Sequence, residues 1–223
     1  MHRSCEVVIG AGLLVGVVVL AAFSVGLLPL SVDPPDPPSF IWAVQTNDTL
    51  TYQVTVYRIA HESMPGSEYD DLNHTIITLN ITSLMDVQEI TNETQFTLMV
   101  ETEKTAILPP VLHENGSEVD VHAAGLVGNV ISRSILPVDG WSFIDYCYSD
   151  LDQPSDYGFS CDTYFSYSEP DSFMFGHVLF FIDWGFGWHS TINTTNGLPS
   201  QIDWWFYDAI STESYQIIMM LIP

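Results

Sequence analysis

The chain has 223 residues, with 28 Asp and Glu against four Lys and Arg, for a formal net charge of −24. Phosphate recognition rests on Lys and Arg, so this balance excludes nucleic acid as a partner and sets the chain against anionic membrane surfaces. Apolar residues make up 47% of the chain and aromatics 13%, a composition that buries a core and does not fit a disordered polyanion. Like charge at this density keeps molecules apart and suits salty or divalent-rich surroundings; weak cation binding over the surface is the functional alternative.

Residues 1–6 form a short polar tip, and Val7 to Leu30 then runs without a charged residue. As a helix this stretch rises about 36 Å, enough to cross a hydrocarbon core with some tilt. The expectation is a transmembrane helix or uncleaved signal anchor over 7–30. The competing reading is a cleaved signal peptide with Ser24-Val25-Gly26 as its cleavage site. Arg3 precedes the run and the next cation is Arg58, so the positive-inside rule puts the tip in the cytoplasm and the rest outside the cell. Gly12 and Gly16 make a GxxxG face through which two such helices would dimerise.

Residues 31–39 read SVDPPDPPS, a stiff extended spacer. A domain over 40–223 follows. Its first half shows a period of two. Leu50, Tyr52, Val54 and Val56 alternate with Thr51, Gln53, Thr55 and Tyr57; Ile77, Leu79 and Ile81 alternate with Thr78, Asn80 and Thr82; and Phe96, Leu98 and Val100 alternate with Thr97, Met99 and Glu101. These predict half-buried antiparallel strands. Pro109-Pro110 ends the third. Ala123–Ile135 reads as a short helix or a strand, and Asp139 as the cap of a short helix before Trp141. Strands return over Phe173–Ile182, Phe186–Ile192, Ile202–Tyr207 and Tyr215–Ile222, with Asn196-Gly197 as a hairpin turn. The expected fold is mainly β: one antiparallel domain, as a curved sheet, half-barrel or sandwich, with one or two short helices.

Six of the eight asparagines stand in N-x-S/T sequons: Asn47, Asn73, Asn80, Asn92, Asn115 and Asn193. That excess predicts N-glycosylation on an exported surface. Cys147 and Cys161 are the pair beyond the anchor, and an even pair in an exported domain predicts a disulfide. Asp150, Asp152 and Asp156 are the best Ca²⁺ candidates, since hard cations take clustered carboxylates, but the EF-hand spacing is absent and a plain acidic loop is the simpler reading. No cofactor is expected otherwise. Trp184, Trp188, Trp204, Trp205 and Phe206 crowd the C-terminal third; they fit either an aromatic core or an apolar groove for a lipid or other greasy ligand. GxSxG, HExxH and phosphate-cradling glycine loops are missing from the sequence.

The anchor, the SVDPPDPPS spacer, the six sequons and the near-absence of Lys together resemble exported, membrane-anchored, sequon-rich β proteins of archaeal cell surfaces. The Asn196-Gly197-Leu198-Pro199 turn, leading into Ile202–Tyr207 and Tyr215–Ile222, also resembles the last strands of half-barrel lipid carriers. The expectation is a single-pass surface protein of the cell membrane. Its glycosylated β domain binds an apolar ligand or another surface protein, or helps build the envelope, and is not catalytic. A half-barrel carrier and an extracellular hydrolase without a recognisable motif are the alternatives.

Overall fold

The computed structural model of the chain describes residues 35–36, 38–59, 69–101, 106–107, 110–148, 161–210 and 213–223. They belong to the unit Pro35–Pro223. The polar tip, the proposed membrane helix over 7–30 and most of the spacer lie outside the described residues. Among those described, no helix is long and apolar enough to cross a membrane.

The architecture is mainly β. The strands are β1 (Thr49–Ile59), β2 (Thr75–Asn80), β3 (Ser83–Leu84), β4 (Ala106–Ile107), β5 (Leu112–His113), β6 (Cys161–Ser168), β7 (Ser172–Phe180), β8 (Trp184–Asn193), β9 (Pro199–Asp208) and β10 (Glu213–Leu221). Among the described residues three α-helices interrupt them, α1 (Glu93–Glu101), α2 (Val121–Ser134) and α3 (Trp141–Tyr148), with one 3-10 turn over Asp70–Leu72. Eight strands form one sheet in the order β5-β2-β1-β10-β9-β8-β7-β6, and β3 and β4 pair separately. Every pairing is antiparallel. The last five strands form a meander of consecutive hairpins, and the final strand then closes against the first: Val54 lies opposite Met219 and Val56 opposite Ile217.

Alternation sorts the side chains. Leu50, Tyr52, Val54, Phe173, Phe175, Trp188, Ile192, Ile202, Trp204, Ile217 and Met219 share one face and are buried. The helices cover that face with Phe96, Val100, Val127, Ile131, Phe143 and Ile144, all in the same apolar cluster. This is the core. The opposite face carries no helix among the described residues.

One expected strand is a helix. Phe96, Leu98 and Val100 alternate, but Asn92 accepts a hydrogen bond from Gln95 N through Oδ1 at 3.0 Å and Phe96 N donates to Asn92 O, so the segment is capped as a helix start. Phe96, Met99 and Val100 then fall on one buried side while Leu98 is 52% exposed, which is helical spacing. The Ala123–Ile135 segment is helical too, as far as Ser134, because Asp120 caps α2 by accepting from His122 N and Ala123 N, and Ile135 turns extended as its C-cap. The helix before Tyr148 exists, but Asp139 does not cap it: Asp139 adopts a positive φ of 67° and Gly140 O receives the first helical bonds.

The Asn196-Gly197 turn closes β8 onto β9 as a longer loop than a two-residue hairpin, with Asn193 N donating to Leu198 O at 2.9 Å. Gly197 has φ +69°, and a Cβ there would collide with the Leu136 carbonyl. Gly197 O also receives Leu136 N at 3.0 Å, so this turn fixes the chain leaving α2 to the end of the sheet. Gly197→Ala is expected to destabilise the fold by about 2–3 kcal/mol from the left-handed backbone and the collision together. Thermal unfolding would read this as a loss of about 4–10 °C; a variant within about 1 °C of the parent would contradict the account.

Candidate functional site

The five aromatics expected to crowd one region do not share a surface. Trp188 and Trp204 lie directly opposite each other on β8 and β9, at 4% and 6% exposure within the core. Phe206 is half-buried against the same cluster. Trp205 points the other way, as strand alternation requires. Trp184 is exposed at the β7–β8 turn, with its ring 4.6 Å from that of Phe181. The pair in the middle is therefore packing within a covered core, and a single groove lined by all five is not formed.

The uncovered face of the sheet is built differently. Glycines alternate with large rings there. A Cβ on Gly187 would stand 2.6 Å from the Trp205 ring, one on Gly176 2.6 Å from Phe165, and one on Gly185 2.7 Å from Phe180. Each ring lies down across the neighbouring strand in the space a side chain would take. Around them stand Tyr57, Tyr167, Tyr207 and Met220, all exposed, with Met174, Val178 and Ile218 half-buried. Along β1 and β6 to β10 the outward positions hold one carboxylate, Asp203, in a chain with 28 acids. Asp203 Oδ2 accepts from Gln216 Nε2 at 2.8 Å, and His189 lies opposite on β8. Its Oδ1 is buried with no hydrogen-bond partner. Burial holds its carboxyl above the ordinary range, against the opposing effects of Gln216 and His189. The sequence signal for this face was legible in outline: the off-core positions of β6, β7, β9 and β10 are Phe, Tyr, Met, Val and Trp more often than Lys, Glu or Thr.

A polar knot lies where the helices meet the β6 and β7 edge. Arg133 on α2 donates to Val100 O at 2.9 Å, to Glu101 O at 2.8 Å, to Tyr164 Oη at 2.8 Å and to Asn129 Oδ1 at 3.2 Å. One guanidinium thus satisfies the carbonyls at the end of α1, a favourable place for a cation, and ties them to β6. The Tyr164 ring lies 4.4 Å from His177, whose Nε2 is 2.8 Å from Asp162 Oδ1. Tyr148 Oη is buried beside this group. Partial burial pushes the Glu101 carboxyl above its usual range, against the opposing effect of the Tyr148 hydroxyl. A His–Asp pair can move a proton, but among the described residues no hydroxyl or thiol is bonded to His177.

All six sequon asparagines are exposed. In five of them Oδ1 takes the local hydrogen bonds. Asn73 accepts from Val56 N, Asn80 from Thr49 Oγ1, Asn92 from Gln95 N and Asn193 from Thr195 N. Asn115 accepts from both Ser117 N and Ser117 Oγ, at 2.9 and 2.7 Å. None of these amides uses Nδ2 as a donor to another described residue. Asn47 sits in the turn before β1 with φ 79°.

Cys147 is a free thiol on α3, its pKa pushed up to about 12 by burial first and the nearby Glu93 second. The expected bridge to Cys161 is thus not seen in the structure; the Cys161 side chain lies outside the described residues. Asp150, Asp152 and Asp156 lie outside them as well. Among the described residues no group of three or more His, Cys, Asp or Glu is placed to hold a metal. Comparison with models of known protein families, with curated proteins and with solved structures returns no match.

Two outcomes test this chemistry. Arg133→Ala strips partners from the part-buried Val100 carbonyl, from the exposed Glu101 carbonyl and from Tyr164, at an expected cost of about 1–3 kcal/mol. Arg133→Lys restores only part of that, since it lacks the planar fork. Thermal melts that rank Arg, Lys and Ala in any other order would refute it. Asp203 binds its proton more tightly in the folded chain than in the unfolded one. The fold therefore loses stability as pH rises from the ordinary Asp value, about 3.9, into the interval above it. Asp203→Asn keeps an acceptor for Gln216, so it is expected to raise the melting temperature at about pH 7 and flatten that dependence. Parallel pH–stability curves for the two chains would show the account to be wrong.

Proposed function

We propose that this chain is a single-pass surface protein of the cell membrane. Residues 7–30 anchor it, 31–39 space it from the lipid, and the β domain stands outside the cell as a glycosylated module with a binding or envelope-building role. The observation that carries this reading is the state of the sequon amides. Six exposed asparagines occur on the domain, and five engage their neighbours through Oδ1 alone. A glycan is attached at Nδ2, so each modification keeps the local hydrogen bonding. In Asn115 and Asn193 the sequon folds on itself as an Asx turn, with the residue two places on donating back.

The charge supports the same placement. Beyond residue 38 the chain has 25 acids and three bases, a surface suited to salty surroundings and unsuited to polyanions. The two described cations are committed: Arg133 in the helix clamp, and Arg58 paired with Asp70 and Glu213 at 3.1 Å each. Binding through apolar side chains is supported by the uncovered face of the sheet, where exposed Tyr and Met surround flat-lying rings.

Glycopeptide mass spectrometry of the full chain, recovered from membranes of a host that performs N-glycosylation, tests the whole placement at once. Sugars are expected on most of the six asparagines, Asn115 and Asn193 among them, together with an intact N-terminal peptide that includes residues 7–30. A membrane-associated chain with all six sites bare, or a soluble chain lacking the N-terminal peptide, would overturn the glycosylated or the anchored half respectively.

A further inference from the structure

We propose that two copies of this chain pack together, related by a two-fold axis, through the face of the eight-stranded sheet that no described helix covers, so that each sheet supplies a second layer to the other. Strands β1 and β6 to β10 present that face. Six strands about 4.8 Å apart and about eight residues long, at about 3.4 Å each, span about 800 Å². A stable interface takes about 800 Å² from each partner, so this one face is enough.

Its chemistry suits a copy of itself. Two molecules of net charge −24 repel each other almost anywhere else on their surface. On this face the single carboxylate is Asp203, already bonded to Gln216. A partner chosen for opposite charge would find nothing here to pair with, whereas an isologous contact needs only a neutral, self-complementary patch. Phe165, Phe180 and Trp205 lie flat over Gly176, Gly185 and Gly187. The face is therefore smooth enough for a second sheet to approach at about 10 Å, the spacing of a sandwich. Exposed Met220 and Tyr167 would be covered in that contact.

The sequons leave room for it. Asn47, Asn73 and Asn115 are in turns around β1, β2 and β5, and Asn92 caps α1. Asn80 and Asn193 stand at the last positions of β2 and β8, on the rim. The interior of the face has none.

Native mass spectrometry of the full chain released from a mild detergent reads the stoichiometry. Twice the chain mass is expected at about 10 μM. Met220→Asp combined with Tyr167→Asp is expected to shift the dissociation constant upward at least about tenfold while the far-ultraviolet dichroism stays unchanged. Gly12→Leu with Gly16→Leu is expected to leave the dimer in place. If the two aspartates unfold the chain, Gln53→Asn serves instead. Followed by Val54 and Thr55, that substitution completes a new N-x-T sequon at an exposed position of the face, and its glycan is expected to yield monomers. This arm alone rests on the glycosylation proposed above, and occupancy is read in the same spectrum. Three results would overturn the proposal. They are a monomer at that concentration, a dimer abolished by the Gly12 and Gly16 changes but not by the face variants, and a monomer that carries lipid displaced by the two aspartates.

Discussion

Burial of one face of the sheet is the constraint on which the other features depend. Trp188, Trp204, Phe173, Phe175 and Ile217 project from four neighbouring strands to the same side, and α2 and α3 seal them. Apolar burial contributes about 25 cal/mol per Å², and aromatics of this size supply more area than any other residue type. Once those side chains are committed inward, strand alternation leaves no freedom for the rest. Trp205, next to Trp204, must face out, and so must Phe165, Met220 and Tyr57.

The helices are held by a small number of polar contacts set into that apolar layer. Arg133 links the end of α1 to α2 and β6, and Leu136 N ties the end of α2 to the β8–β9 turn through Gly197. Ser166 on β6 donates to Asp145 on α3 at 3.0 Å, fixing the third helix to the edge strand. At the other side Arg58 joins Asp70 to Glu213, with its guanidinium over the Tyr215 ring. In a chain with four Lys and Arg in all, committing two of them to such joints leaves a surface governed by carboxylates and, on the proposed reading, by sugars.

The two proposals fit one physical picture. Carboxylates, and on the proposed reading glycans, keep neighbouring molecules at a distance; the sequons lie outside the interior of the uncovered face, which has Asp203 as its one carboxylate at the outward strand positions. A surface that repels is thus interrupted in one place by side chains that gain from contact. The rings that lie over glycines make that place flat, so its natural complement is another sheet.

The sequence by itself determined which residues alternate, which asparagines are sequons and how the charge is balanced, because each depends only on neighbours along the chain. The mainly antiparallel β class, the meander after Phe173 and the turn at Asn196-Gly197 follow from that local information. It misassigned Phe96–Val100, where alternation imitates a strand and the deciding bond is made by the cap at Asn92. Tertiary structure alone decided that β10 pairs with β1, that Trp188 and Trp204 meet beneath helices while Trp184 stands at a turn, and that Arg133 reaches Val100 and Tyr164. The β1–β10 pairing and the Arg133 contacts join residues more than thirty positions apart. The free energy that selects them comes from burying surfaces against one another, which no local pattern of residues records.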